Sequence, residues 1–150
     1  MSKWLHEYPF LDELPDSWLN KLAEIGQPVT YEAGHRIFVE GQRAEHFWLI
    51  GEGLVRLDID VPGRGSVLIE KLAPGSVLGW SWMFPPYRWH FDAAAERTTR
   101  AIQFHGSDVL RLCREDPAAG MDLMQRFVAV LVERLQATRT RLLDLSNTKA

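Results

Sequence analysis

The sequence has almost no cysteine. Cys113 stands alone among 150 residues, so no internal disulfide can brace the fold. It lies in the helical-looking run Ser107-Asp108-Val109-Leu110-Arg111-Leu112-Cys113 and reads as a packed helix residue rather than a nucleophile. Positive charge is not in surplus either: 17 Lys and Arg face 20 Asp and Glu, a net charge of −3. That excludes binding of nucleic acid by charge alone. No stretch has the apolar length needed to span a bilayer. The first residues, Met1-Ser2-Lys3-Trp4-Leu5-His6-Glu7, lack the unbroken apolar core of a signal peptide. The expected location is the cytoplasm. No tandem repeat, low-complexity tract or linker divides the chain, and its length implies one domain over 1–150.

Aromatic residues, by contrast, are concentrated. The stretch Leu78-Gly79-Trp80-Ser81-Trp82-Met83-Phe84-Pro85-Pro86-Tyr87-Arg88-Trp89-His90-Phe91 holds three of the six tryptophans. Rings of that area are costly to leave in water, so the stretch must line a core, a pocket or an interface.

Residues 1–25 read as helical, with Asp16 as N-cap, Trp18, Leu19, Leu22 and Ile25 on one face, and Gly26 as the stop. Short apolar or alternating runs then follow at roughly ten-residue spacing, which predicts an all-β unit over 28–104. Residues 47–50 are apolar throughout and predict a strand buried on both faces. Residues 54–60 alternate, with Val55, Leu57 and Ile59 on one side. The last strands are expected at 91–95 and 99–104. From 107 to 145 the period is helical. Ser107 is a candidate cap for a short helix, and Asp116-Pro117 starts a second one of about 28 residues. Met124, Val128, Leu131, Leu135, Thr138, Leu142 and Leu145 fall at 4-3-4-3-4-3 spacing. This is an a/d seam, which predicts a parallel dimer through the 117–145 helix. The competing reading packs the stripe on the protein's own β unit.

Turn glycines at Gly34, Gly41, Gly53 and Gly75, the run Glu40-Gly41-Gln42-Arg43-Ala44-Glu45-His46-Phe47-Trp48-Leu49-Ile50, the run Pro74-Gly75-Ser76-Val77-Leu78-Gly79, and a long C-terminal helix with Arg134-Leu135-Gln136-Ala137-Thr138 resemble the cyclic nucleotide-binding domain. That family includes the catabolite activator protein and the regulatory subunits of protein kinase A. The resemblance runs from about Leu14 to Leu145. It implies a mainly β, α+β fold: a double-stranded β-helix, or jelly-roll β-roll, with N-terminal helices and a long C-terminal dimerisation helix.

The resemblance also implies a ligand cassette at 78–91. In the family a Gly-Glu pair opens it, the glutamate accepts the ribose hydroxyl, and an arginine holds the cyclic phosphate with backbone N–H groups. Here Gly79 keeps the glycine, but Trp80 stands where the glutamate would be, and an indole is a donor only. Arg88 is the candidate arginine, although alignment back from Ala93-Ala94-Ala95 puts Trp89 in that place. Thr138 matches the family threonine that reaches the base, and Arg139 follows it where the family has a smaller polar residue. The candidate ligand-binding residues are therefore Gly79, Trp80, Ser81, Trp82, Arg88, Trp89 and Thr138, and the candidate ligand a cyclic nucleotide such as cAMP. Two alternatives stand beside it. One is another flat aromatic or anionic ligand stacked on Trp80 or Trp89; the other is a pocket filled by its own tryptophans. Along an extended segment Tyr87, Trp89, Phe91 and Ala93 share one face and Arg88, His90 and Asp92 the other. Arg88 is a solvated edge if the aromatic face is core, and part of a polar pocket if it turns inward.

The five histidines show neither the paired spacing of a metal-dependent cupin nor a nucleophile–base pairing, so no catalytic and no metal residues are expected. The chain ends after Leu145 without a winged helix, so direct DNA binding is not expected, and the helix arginines Arg134, Arg139 and Arg141 read as a solvated face. The function expected is a small-molecule sensor that signals through the C-terminal helix to a protein partner. The alternative is a ligand-free interaction module of the same fold.

Overall fold

The computed structural model describes Leu5 and residues 8–147. Among the described residues, six antiparallel strands form one rolled sheet with three α-helices packed against it. They are α1 (Asp16–Ile25), β1 (Gln27–Tyr31), β2 (Arg36–Phe38), β3 (His46–Val61), β4 (Gly65–Leu72), β5 (Val77–Leu78), β6 (Asp92–His105), α2 (Gly106–Glu115) and α3 (Pro117–Asn147). Two long strands, β3 and β6, pair along most of their length, from His46↔His105 to Asp58↔Asp92. Each serves two shorter partners. β1 and β2 pair with successive parts of β6, and β4 and β5 with successive parts of β3. That is the predicted β-roll.

The apolar run 47–50 and the alternating run 54–60 are one strand, not two. The sheet's register shifts between Ile50 and Val55, where the strand bends. Gly53 makes the bend (φ +98°), and a Cβ there would come within 2.4 Å of the Thr98 carbonyl oxygen. Thr99, fully buried, closes it: its hydroxyl donates to the Arg97 carbonyl (2.8 Å) and accepts from the Leu54 N–H (3.3 Å). The two predicted last strands are likewise one, β6.

The local helix starts differ in detail from the sequence reading. Among the described residues of 1–25, α1 and the 3-10 turn at Pro9–Leu11 are helical and Leu5 has 3-10 conformation, whereas residues 8 and 12–15 are not helical; residues 1–4, 6 and 7 lie outside the described residues. Pro15 holds the cap position of α1 and Asp16 is its first residue. His105, rather than Ser107, caps α2, its ring nitrogen accepting the Ser107 N–H. Trp18, Leu19 and Leu22 bury the predicted face of α1. Trp18 also donates its indole N–H to Asp116 at the α2–α3 junction (2.9 Å), tying the first helix to the last two.

The 31 residues of α3 span about 46 Å. Its first half enters the core through Leu123 and Phe127, the latter edge-on to Phe10, Phe47 and Trp82. Its second half is held along β4: Arg134 reaches Glu70, and Arg141 donates to the Leu68 carbonyl (3.0 Å). The predicted seam therefore splits. Met124, Leu131, Thr138 and Leu145 are half-buried, while Val128, Leu135 and Leu142 are exposed. With Met121 and Val132, these form an outward stripe at 121, 128, 132, 135 and 142.

Candidate functional site

β5 delivers the chain to Gly79, which sits at φ +98°. A Cβ there would lie 3.0 Å from the His46 carbonyl and 3.1 Å from the Trp89 ring. Only glycine lets the backbone pass between them. A single 3-10 turn, Ser81–Met83, follows, and then an irregular loop that enters β6 at Asp92. The three tryptophans part company here. Trp82 turns inward, stacks on Phe47 (5.3 Å) and donates to the Gly79 carbonyl (3.3 Å). Trp89 is 6% exposed and lies flat on Phe38, with centroids 3.8 Å apart and planes 7° off parallel, beside Trp48. Trp80 faces outward and is only half-buried. Its ring rests on His90 (4.8 Å, 22°) and Phe84 (5.9 Å), and a contact between the His90 Nδ1 and the buried Ser81 hydroxyl (2.9 Å) fixes the imidazole.

Between this ledge and α3 opens a cleft of about 440 Å³, walled by Trp80, Phe84, His90 and Phe91 on one side and Leu131, Arg134, Leu135 and Thr138 on the other. It is mostly apolar. Arg134 is 5% exposed, and its guanidinium is spent on the fold: Nη2 donates to the Val77 carbonyl (2.6 Å) and Nη1 to Glu70 (3.3 Å). Burial pushes its pKa below the usual arginine value, and the carboxylates of Glu70 and Glu133 oppose that shift. Thr138 Oγ1 donates to the Arg134 carbonyl (2.7 Å), so its remaining capacity is as an acceptor.

Of the seven sequence-predicted residues, Trp80 and Thr138 meet in this cleft. Gly79 and Ser81 shape it from behind. Trp82 and Trp89 belong to the core. Arg88 is exposed, and its guanidinium donates to the Gly41 carbonyl (2.9 Å), with its backbone bridged to Arg43. His90 and Asp92 do not join it in a polar pocket: His90 lies under Trp80, and the Asp92 carboxylate accepts the Glu40 N–H (2.7 Å). The segment before β6 is irregular, so side-chain alternation does not apply to it. Arg134 is the residue that sequence reasoning misplaced, since it is a buried tether rather than part of a solvated face. Its position four residues before Thr138, on the row that continues Phe127 and Leu131, was the available signal. Among the described residues no group of His, Cys, Asp and Glu is placed to hold a metal ion. No helix among them is long and apolar enough to cross a membrane.

Known proteins match the sequence and the fold. Residues 28–116 match the sequence profile of the cyclic nucleotide-binding domain. A CRP-like cAMP-activated global transcriptional regulator of Mycobacterium tuberculosis is 27% identical over 119 residues, covering 79% of this chain and 51% of the relative. The chain thus spans about half the length of the curated relatives it matches. Among solved structures, a cyclic nucleotide-binding domain from Methylobacillus flagellatus superposes with a TM-score of 0.84 at 19% identity, over 95% of this chain and 84% of that one. The catabolite activator protein of Thermus thermophilus gives 0.74 at 24%, over 92% and 63%. Those two likenesses concern the fold alone; with the profile covering more than half the sequence, the chain belongs to the cyclic nucleotide-binding domain family.

Proposed function

We propose that this domain is a regulatory sensor, not an enzyme, that works in the cytoplasm. It holds a small molecule in the cleft between Trp80 and α3 and signals through α3 to a second copy and to a protein partner. One observation carries the reading: Leu135 lines the cleft and also stands, 68% exposed, in the outward stripe of α3. A ligand pressing on this wall changes the surface that a second helix would cover, which is the differential contact a sensor needs. The stripe at 121, 128, 132, 135 and 142 has the heptad spacing of a two-stranded coiled coil.

Sedimentation equilibrium tests the dimer. The wild type is expected to dimerise at micromolar concentration. Leu135→Glu, which puts a like-charged pair into the seam of a symmetric dimer, is expected to be a monomer with unchanged circular dichroism. A wild type that stays monomeric at 100-fold higher concentration refutes the arrangement.

The second reading, a ligand-free interaction module, is favoured by the Trp89–Phe38 stack, which occupies the neighbourhood where the family's arginine would start. It differs in one respect: no small molecule saturates the cleft.

A further inference from the structure

We infer that the cleft takes a planar, uncharged ring system rather than a cyclic phosphate, an inference that rests on its being the ligand site. A phosphodiester is an anion, and moving it into an apolar cleft without a cation or several free N–H donors is costly. The walls offer no free cation, and besides Arg134 their side-chain N–H groups are limited to the Trp80 indole and the His90 ring. Their one cation, Arg134, is already neutralised by Glu70 and hydrogen-bonded to Val77. Arg88 is bound to Gly41 on the outside of the loop. The turn Ser81–Met83 has only three residues, and its Met83 N–H is already bonded to the Trp80 carbonyl. No carboxylate lines the cleft to accept a ribose hydroxyl.

What the walls do offer is a flat surface. The Trp80 indole is backed by His90 and flanked by Phe84, so it is held in place before a ligand arrives. Leu131 and Leu135 face it across about 440 Å³, room for a fused two- or three-ring molecule. Thr138, whose proton is committed to the Arg134 carbonyl, accepts from one ligand N–H or O–H. The ligand class is therefore a neutral fused aromatic with a single peripheral donor.

The test titrates the full chain with 2-naphthol, a neutral two-ring molecule with one O–H, and separately with cAMP, by calorimetry at pH 7. 2-Naphthol is expected to saturate one site per chain. Trp80→Ala is expected to weaken it about 5- to 150-fold, the range for losing one aromatic stacking partner. Trp80→Leu, which keeps bulk without a flat face, weakens it in the same direction and guards against a fold defect in the alanine variant. Trp80→Phe retains most of the affinity, and Arg88→Ala leaves it unchanged. Saturable micromolar binding of cAMP overturns the ligand class while leaving the sensor reading intact. Silence of both molecules overturns both. 2-Naphthol binding that is indifferent to Trp80→Ala and Trp80→Leu overturns the placement in this cleft.

Discussion

Replacing Trp89 by alanine is expected to destabilise the domain severely, whereas the same change at Trp80 is expected to be mild, although both rings come from one loop. Trp89 is 6% exposed, lies flat on Phe38 at 3.8 Å and abuts the Gly79 backbone. Removing a buried tryptophan costs about 3–5 kcal/mol, because the lost transfer energy is joined by a cavity that the sheet cannot collapse into. The lost face-to-face contact, worth about 0.5–1.5 kcal/mol, puts the expectation near the top of that range. Against a total stability of about 5–15 kcal/mol, this is a large fraction. At a urea slope of about 2 kcal/mol per molar, the unfolding midpoint falls by about 2.5 M. Trp80 rests on His90 and Phe84 but is half in solvent, and its loss should cost about 1 kcal/mol, a shift of about 0.5 M. Urea titrations followed by far-ultraviolet circular dichroism measure both, with the slope checked for constancy. Equal shifts, or a Trp89→Ala shift below about 0.7 M, would refute the division of this loop into a core side and a cleft side.

Two further expectations follow from groups that bind α3 and α2 to the roll. Arg134→Met removes two charge-assisted contacts, to Val77 and Glu70, in a side chain 6% exposed. Glu70, at 30%, can rehydrate, which holds the cost to about 2 kcal/mol rather than the full penalty of a stranded buried charge. Hydrogen exchange should speed up by about 30-fold in the second half of α3, and unchanged protection there would show that Arg141, together with Arg64, which donates to the Leu145 carbonyl (3.2 Å), suffices to hold it. The pKa of His46 is lowered, first by burial, then by the facing His105, against an opposing pull from Glu45. The folded state therefore binds this proton less readily than the unfolded chain. The stability this contributes is present above the unfolded value of about 6.5 and is lost as the pH falls from there through the folded value. His46→Gln should flatten the fall in melting temperature between neutral and mildly acid pH, and a slope equal to that of the wild type would contradict it.

The β-roll was legible because its signals are local and repeated. Turn glycines recur at the predicted breaks, and each apolar run ends at one of them. What misled at residues 51–53 is equally physical: glycines that usually end strands here let β3 bend without leaving the sheet, because Thr99 on β6 supplies the bonds the bulge would lose. The cassette was found as a block of aromatics, but which ring enters the core was not readable. That depends on the irregular path from 84 to 91, where no period relates neighbouring side chains. Arg134 illustrates the same limit. Its charge suits an exposed helix face although its spacing places it on the row of Phe127 and Leu131, and only the position of the Val77 carbonyl and the Glu70 carboxylate across the gap makes a buried arginine tolerable.

By itself the sequence determined the periodicities, and with them the roll, the helices and the breaks between them, since these follow from residue-by-residue preference for burial and backbone shape. The tertiary structure alone decided which of two rows on α3 faces the roll, which tryptophan remains available to a ligand, and which arginines are already engaged. Those outcomes depend on groups far apart in the chain competing for the same space and the same hydrogen bonds, and no local pattern records who wins.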